Sequence, residues 1–332
     1  MSPQKHMNRR HFIRVVGGLA VASPLVLHAQ PLARPARIGF LGSASASGSA
    51  KSVEALRIGL RDLGYVEGKN IALEFRWAEG KYERLSDLVA ELIRLNVDII
   101  VTHGTPGTRI AKKATSEIPI VMAISGDAIA TGLVTSLARP EANVTGSTFF
   151  IPQLNAKRLE LVKEVLPQVV RVAALSNPNN PVSKPIIPAM QAVATPLKLD
   201  FEVAEVQGPG DFERAFASIA KKRVDAVVIT EDGEFAASFR AIATLATANK
   251  LPSIGAQEYA QAGGLIGYGV DLLGLYRRAA YFIDKILKGS RPADLPIEQP
   301  TRFELVFNLK TAKTLGLEIS PAILARADET IE

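Results

Sequence analysis

The segment ARIGFLG (36–42) is an almost continuously apolar run that leads into a loop of small residues, SASASGS (43–49). It is followed by VEALRIGLRDLG (53–64), where apolar residues recur three and four positions apart, as in a helix that packs on a sheet. Strands that are apolar throughout are typical of parallel sheets covered on both faces. This stretch therefore predicts one strand, loop and helix of an α/β fold.

The same alternation continues along the chain. Three more runs have the composition of strands, namely NIALEFRW (70–77), VDIIVTHG (97–104) and IPIVMAIS (118–125). Between them, LSDLVAELIRLN (85–96) again has the apolar spacing of a helix. The pattern predicts a parallel sheet built from strand-helix-strand units.

A second series of similar segments follows in the same order. RVAALSNP (171–178), LDFEVAEV (199–206), VDAVVIT (224–230) and LPSIGA (251–256) correspond to the four strand candidates of the first series. Two α/β lobes in series, each with its own doubly wound parallel sheet, are therefore expected. One large sheet is the alternative.

The charge of the chain argues against a nucleic-acid partner. The net charge is +6, but the first 29 residues contain four basic and no acidic residues. The rest of the chain has 35 basic and 33 acidic residues. Such a balance gives no electrostatic footprint for a phosphate backbone.

Several kinds of chemistry are excluded or disfavoured by residue type. The chain has no cysteine, so disulfides, thiolate metal sites and cysteine nucleophiles are excluded. His103 is the only histidine after residue 28, which excludes a histidine-rich metal site. We find no nucleophile elbow and no phosphate loop, and GYVEGKN (64–70) has the wrong spacing for the latter. No catalytic residues, metal or cofactor are expected.

The first thirty residues have the pattern of an export signal. NRRHFIR (8–14) precedes the apolar segment VVGGLAVASPLVLHAQ (15–30), and the arginine pair before Phe12 resembles a twin-arginine signal. We predict a signal peptide at residues 1–29, cleaved after Ala29 or, as second choice, after Ala33. An uncleaved membrane anchor is the alternative. The mature protein is expected in the periplasm.

Four long segments resemble a family of ABC-transporter substrate-binding proteins, the one that includes tryptophan/tyrosine uptake proteins. They are ALRIGLRDLGYVEGKNIALEFRWAEGKYERL (55–85), GDAIATGLVTSLARPEANVTG (126–146), KRLELVKEVLP (157–167) and the stretch from Ala262 to Leu317. The likeness covers essentially everything after the leader. The chain departs from the family at GDA (126–128) and SNPNNP (176–181), so a tryptophan or tyrosine ligand is not simply carried over.

The resemblance implies a type I periplasmic binding protein, with two lobes joined by three crossover segments. The crossings are expected near 145–149, 268–271 and 297–301. Lobe 1 would then comprise 36–146 and 270–298, and lobe 2 would comprise 147–269 and 299–332.

In open α/β sheets, ligands bind outside the carboxyl ends of the strands, so the residues that follow each strand are the candidate ligand contacts. In the first lobe these are Ser43 and Thr105, whose hydroxyls suit a carboxylate, and Asp127, which suits an ammonium. Each of them could instead only cap a helix or a turn. His103 is a weaker candidate, since a lone histidine is more often structural.

In the second lobe, Asn177 and Glu231 follow strands. Phe149 and Tyr268 lie at predicted crossings and could form an apolar wall, although buried aromatic residues are more often part of a core. These residues suggest a small amino-acid-like or aromatic ligand.

The resemblance implies no enzymatic activity. It implies a solute-binding protein that delivers its small-molecule ligand to an ABC permease in the inner membrane. We expect the mature protein to be a monomer without a nucleic-acid partner. A LacI-like ligand-sensing domain and a periplasmic α/β enzyme are the alternatives.

Overall fold

The structure is a computed structural model that describes residues 34–140 and 142–332. The predicted signal peptide at residues 1–29 lies outside this range. Within it, no helix combines the length and the apolar character that crossing a membrane requires.

The amino-terminal part of the described chain forms a sheet of five parallel strands in the order β2-β1-β3-β4-β5. Its strands are β1 (Ala36–Gly42), β2 (Ile71–Trp77), β3 (Ile99–His103), β4 (Ile120–Gly126) and β5 (Val144–Phe149). Its connecting helices are α1 (Ala50–Asp62), α2 (Leu85–Arg94) and α3 (Gly104–Ala114). The side chains of β1 and β4 are buried on both faces, as the continuous apolar runs predict.

A second sheet has seven strands in the order β12-β11-β10-β9-β8-β6-β7. Its strands are β6 (Arg171–Ser176), β7 (Asp200–Glu205), β8 (Ala226–Ile229), β9 (Ser253–Gly255), β10 (Ile266–Gly269), β11 (Glu304–Asn308) and β12 (Glu329–Ile331). The pairing of β10 with β11 is antiparallel, and the other pairings in this sheet are parallel.

The remaining helices follow β5. They are α4 (Ile151–Val165), α5 (Ser183–Ala194), α6 (Phe212–Lys221), α7 (Gly233–Ala237), α8 (Phe239–Ala248), α9 (Gln257–Gln261), α10 (Leu272–Leu287), α11 (Leu309–Leu315) and α12 (Pro321–Leu324). Helix α10 packs against α1 and β4. We call the first sheet with α1–α3 and α10 the first lobe, and the second sheet with the other helices the second lobe.

The predicted alternation of strands and helices in two sheets is confirmed.

Each of the two similar series of segments contains an aspartate with the same structural role. The carboxylate of Asp98 accepts a hydrogen bond from the backbone N–H of Arg37 at 2.7 Å, and that of Asp225 accepts one from Arg171 at 2.8 Å. In each lobe the aspartate thus ties the start of one strand to the start of its neighbour.

The chain passes between the two sheets at three places. It first leaves the first sheet after Phe149, the last residue of β5. The predicted position of this crossing, 145–149, is therefore wrong, since these residues belong to β5 and pair with β4. It returns between β10 and α10. The third passage follows α10, where Glu298 still pairs with Ser147 at the edge of the first sheet before the chain enters β11.

Gly146 allows β4 and β5 to approach closely just before the chain leaves the first sheet. Its φ angle is +121°, and a Cβ atom there would lie 2.2 Å from the carbonyl oxygen of Met122. Gly146→Ala should lower the free energy of unfolding by about 3 kcal/mol or more, because left-handed strain of about 1–2 kcal/mol adds to overpacking. Urea denaturation measures this loss.

Gly132→Ala is the matched control, since its φ is +71° but no atom lies within 4 Å of the added Cβ. It should cost only the strain, about 1–2 kcal/mol. Equal losses in the two variants would contradict the close approach of β4 and β5.

Candidate ligand-binding site

One cavity lies at the carboxyl ends of strands from both sheets. It has room for several water molecules. The last residues of β3, β4 and β5 line it from the first lobe. Residues that follow β6, β8 and β9, together with the end of β10, line it from the second lobe. This is the position where open α/β sheets bind ligands.

The wall of the cavity is largely apolar. The apolar side chains that line it come from both lobes: Ile124, Phe149, Ile151, Leu154, Val182, Ala236, Phe239, Ala256, Val270 and Leu272. Such a wall suits a ligand with an aliphatic or aromatic part.

Three long helices begin at the cavity. Gly104 and Thr105 of α3, Ile151 of α4 and Leu272 of α10 all line it, and each lies in the first turn of its helix. The positive ends of these helix dipoles favour a negative group in the cavity.

A buried ion pair forms part of the lining. Nη1 of Arg158 lies 2.6 Å from Oε1 of Glu231, and the Arg158 side chain is 1% exposed. The Nε atom of Arg158 donates to the carbonyl oxygen of Tyr268 at 2.8 Å. Nδ2 of Asn155 donates to the other carboxylate oxygen of Glu231. A cation from α4 is thus held between β8 and the end of β10.

Two hydroxyls face the cavity from the first lobe. Oγ1 of Thr105 and Oγ of Ser125 are 3.1 Å apart, and Thr105 also accepts a hydrogen bond from the backbone N–H of Gly126. One hydroxyl hydrogen is used between the two side chains, whichever of them donates. The other hydrogen remains free for a ligand acceptor.

His103 contributes a neutral imidazole. Its Nδ1 atom is hydrogen-bonded to the hydroxyl of Tyr276 from α10. Burial lowers the pKa of His103 to about 4 and raises that of Tyr276. The Nε2 side of the ring lies against Gly233 of the second lobe, where an added Cβ atom would be 2.9 Å away.

Asp232 holds the two lobes together beside the cavity. Its Oδ2 accepts hydrogen bonds from the Tyr82 hydroxyl of the first lobe at 2.6 Å, and from Asn177 and Asn180 at 3.1 and 3.0 Å. Its Oδ1 accepts from two backbone N–H groups at the start of α7. Because the two oxygens already accept five hydrogen bonds and a carboxylate offers about four lone-pair sites, Asp232 has a positioning role and no free acceptor for a ligand.

A second acidic side chain packs across the same contact. A Cβ atom on Gly80 of the first lobe would lie 3.0 Å from Oε2 of Glu234. Burial, and then the charges of Asp232 and Glu79, raise the pKa of Glu234 to about 7. The described conformation is therefore one in which the lobes are in direct contact at the cavity.

The structure brings three of the seven predicted contact residues to the cavity lining: Thr105, Phe149 and Glu231. Two others support lining residues. Ser43 donates to the carbonyl oxygen of His103 at 3.2 Å, and Asn177 donates to Asp232.

The last two predicted contacts point elsewhere. The carboxylate of Asp127 accepts hydrogen bonds from the N–H groups of Ile129 and Ala130 in the turn after β4. The described residues that line the cavity do not include Asp127. The Tyr268 ring stacks on Phe303 with centroids 6.1 Å apart, while its carbonyl oxygen binds Arg158. We therefore no longer assign the ligand ammonium to Asp127 or the apolar wall to Tyr268.

Arg158 is the main residue that the sequence analysis missed. It lies in the middle of α4, not in a loop after a strand. A signal was present, since Arg158 is four positions after Leu154 and four before Val162, which places a charge on the apolar face of a helix.

Residues 38–331 match the sequence profile of a family described as ABC transporter substrate binding protein. The chain belongs to this family. The match spans both sheets and all the residues that line the cavity. The family is one of substrate-binding proteins, which are typically not enzymes and typically extracellular or periplasmic.

Individual relatives show the same likeness. A tyrosine-binding protein of Clostridioides difficile (strain R20291) is 28% identical over 262 residues, which are 78% of this chain and 74% of that protein. The structure of an ABC domain from Streptococcus pneumoniae in complex with L-Trp is 26% identical, with a TM-score of 0.79 over 89% of this chain and 100% of that one.

A more distant structure shows the fold alone. The leucine-binding protein LivK of Thermotoga maritima has a TM-score of 0.56 at 15% identity, over 78% of this chain and 85% of that one. The substrate-binding protein thus has the type I periplasmic binding fold, as the resemblance implied.

His103 makes the stability of this protein depend on pH. The unfolded chain takes up a proton at the ordinary histidine pKa of about 6.5, whereas the folded chain does so near 4. At His103 the unfolded state therefore binds more protons between these values, and the contribution of this residue to folding stability falls as the pH is lowered. The raised pKa of Glu234 acts in the opposite direction, so the His103 contribution is measured against a variant that lacks the imidazole. Between pH 7 and pH 5 this contribution is about 2 kcal/mol.

Urea denaturation of the wild type and of His103→Gln at both pH values tests this. Glutamine can still accept from the Tyr276 hydroxyl but does not titrate, so the variant should lose about 2 kcal/mol less than the wild type on acidification. The same loss in both proteins would show that His103 is not a buried neutral imidazole.

Proposed function

We propose that the protein is the periplasmic receptor of an ABC importer and that it encloses a small amino-acid-like or aromatic molecule between its lobes. The observation that carries the proposal is a cavity that residues of both lobes line at the strand ends. A ligand in this position contacts both lobes, and only such a ligand favours the closed arrangement over an open one.

The chemistry of the lining supports the ligand class. The apolar wall accommodates a side chain or ring, while Glu231, Arg158 and the hydroxyl pair of Thr105 and Ser125 offer both acidic and donor groups. This mixture suits a molecule that carries an apolar part and a zwitterionic head. Two similar proteins, one named for tyrosine and one solved with L-Trp, point to the same class.

We assign roles to the predicted residues on this basis. Thr105 and Phe149 contact the ligand directly, and Glu231 binds the ligand ammonium in place of Asp127. Ser43 and Asn177 act through His103 and Asp232, which they hold in position.

The cellular setting rests on the leader and the family. The arginine pair at residues 9–10 and the apolar segment after it support export by the twin-arginine route. The mature protein then works as a monomer that delivers unchanged ligand to a permease of the inner membrane. It has no enzymatic activity of its own in this proposal. The predicted first lobe, 36–146 with 270–298, is extended to Phe149 in this proposal, because β5 pairs with β4 of the first sheet. The second lobe comprises the remainder of the body.

A thermal-shift screen tests the proposal. The panel contains the amino acids, aromatic acids, nucleosides and the amides of these acids. At a concentration 100 times its Kd, a ligand stabilises the folded protein by about 2.7 kcal/mol, which raises the melting temperature by several degrees. The expected result is stabilisation by an amino-acid-like or aromatic compound that chromatography recovers unchanged.

Two variants place the ligand in the cavity. Glu231→Gln should weaken binding of the screened ligand about tenfold or more, since it removes a charged partner of the ammonium. Glu160→Gln is the control, because Glu160 lies in α4, pairs with Lys157 and does not line the cavity. This variant should bind the ligand with an affinity within twofold of the wild type. Conversion of the compound, no ligand in the whole panel, or equal effects of the two variants would refute the proposal.

A further inference from the structure

We propose that Arg158 is the specificity-determining residue of the cavity and that its Nη2 atom binds a carboxylate of the ligand. The inference rests on the proposed function and narrows the ligand to carboxylate-bearing molecules.

The hydrogen bonds of Arg158 leave one part of its guanidinium free. A guanidinium has five N–H groups, one on Nε and two on each terminal nitrogen. Nε donates to Tyr268, and Nη1 faces the carbonyl oxygen of Ile229 at 3.2 Å and Glu231 at 2.6 Å. Nη2 is buried and has no hydrogen-bond partner among the described residues.

Buried N–H groups without an acceptor, such as those of Nη2, lower the stability of a folded protein. A buried polar group without a partner costs about 1–3 kcal/mol, and more when it is charged. An arginine that served only to join α4 to β8 and β10 would be expected to use both ends of its fork. The unmet donors therefore indicate a group that arrives from outside the chain.

The local backbone keeps the approach to Nη2 open. Gly269, at the end of β10, lines the cavity, and a Cβ atom there would lie 3.4 Å from Nη2. Any larger side chain at this position would extend over the nitrogen. The absence of a side chain leaves space beside the free donors.

A carboxylate satisfies the site better than a neutral acceptor. The positive ends of α3, α4 and α10 face the same cavity, and the free hydroxyl hydrogen of the Thr105–Ser125 pair is a further donor. Glu231 already balances Arg158, so the carboxylate needs a second positive charge, which a zwitterionic ligand supplies as its ammonium beside Glu231. The four charges then sum to zero in a closed cavity.

Calorimetry with matched acid and amide probes tests the inference. The pairs are L-tyrosine with L-tyrosinamide, L-tryptophan with L-tryptophanamide, L-leucine with L-leucinamide, and benzoate with benzamide. The wild type should bind the acid of the best pair about 10- to 100-fold more tightly than its amide, the range of one or two charge-assisted hydrogen bonds. In Arg158→Gln this ratio should fall to about twofold or less.

The acid-to-amide ratio separates recognition from folding. Loss of Arg158 leaves Glu231 without its cation, so the double variant Arg158→Gln, Glu231→Gln removes both charges and should show the same loss of preference. The amino-acid probes and their amides share the ammonium, so removal of Glu231 weakens both alike. Arg109→Gln is the control, because this exposed arginine of α3 binds the carbonyl oxygen of Thr131 outside the cavity. It should keep the wild-type ratio.

The outcomes distinguish the two proposals. If an acid and its amide bind the wild type equally, or if the preference survives in both Arg158 variants, the assignment of Arg158 is overturned while the receptor function stands. If only compounds without a carboxylate bind, the assignment is likewise overturned. If nothing in the panel binds, the proposed function falls, and the assignment falls with it.

Discussion

Parallel strands point their carboxyl ends to one edge of a sheet, and in this protein the two such edges face each other. The rest of the molecule follows from that constraint. Parallel pairing requires a crossover helix after each strand, so helix N-termini collect at the same edge as the strand ends. When two lobes are joined by three crossings, both edges border one cavity, and its lining combines helix dipoles, strand-end side chains and the crossing segments.

The contact between Tyr82 and Asp232 shows how the lobes are coupled to the cavity. Asp232 lines the cavity, caps α7 and accepts the Tyr82 hydroxyl from the other lobe. The contact between the lobes therefore buries a carboxylate whose position is already fixed by Asn177 and Asn180 within its own lobe. The second lobe presents a preformed acceptor, and the first lobe supplies one donor to it. This hydrogen bond to a carboxylate is worth about 1.5–3 kcal/mol.

More of the fold than of the candidate site could be predicted from the sequence. Apolar runs and helical spacing located strands β1–β4 and β6–β9, since a buried parallel sheet leaves a strong local pattern. The site depends on side-chain direction, which spacing does not reveal. Asp127 follows β4 as expected, but its carboxylate turns back to cap its own turn. Tyr268 was predicted to lie at a crossing, but it lies within β10 and its ring stacks on Phe303. Arg158 reaches the cavity from the middle of α4, and a search of the residues that follow strands does not include that position.

We infer that the described arrangement is the closed form of a two-lobed receptor and that ligand stabilises it. Small-angle X-ray scattering of the mature protein, with and without a saturating concentration of the ligand from the screen, tests this most directly. Ligand should lower the radius of gyration and shorten the maximum dimension, because the closed form is the more compact one. Identical scattering profiles in the two conditions would contradict it.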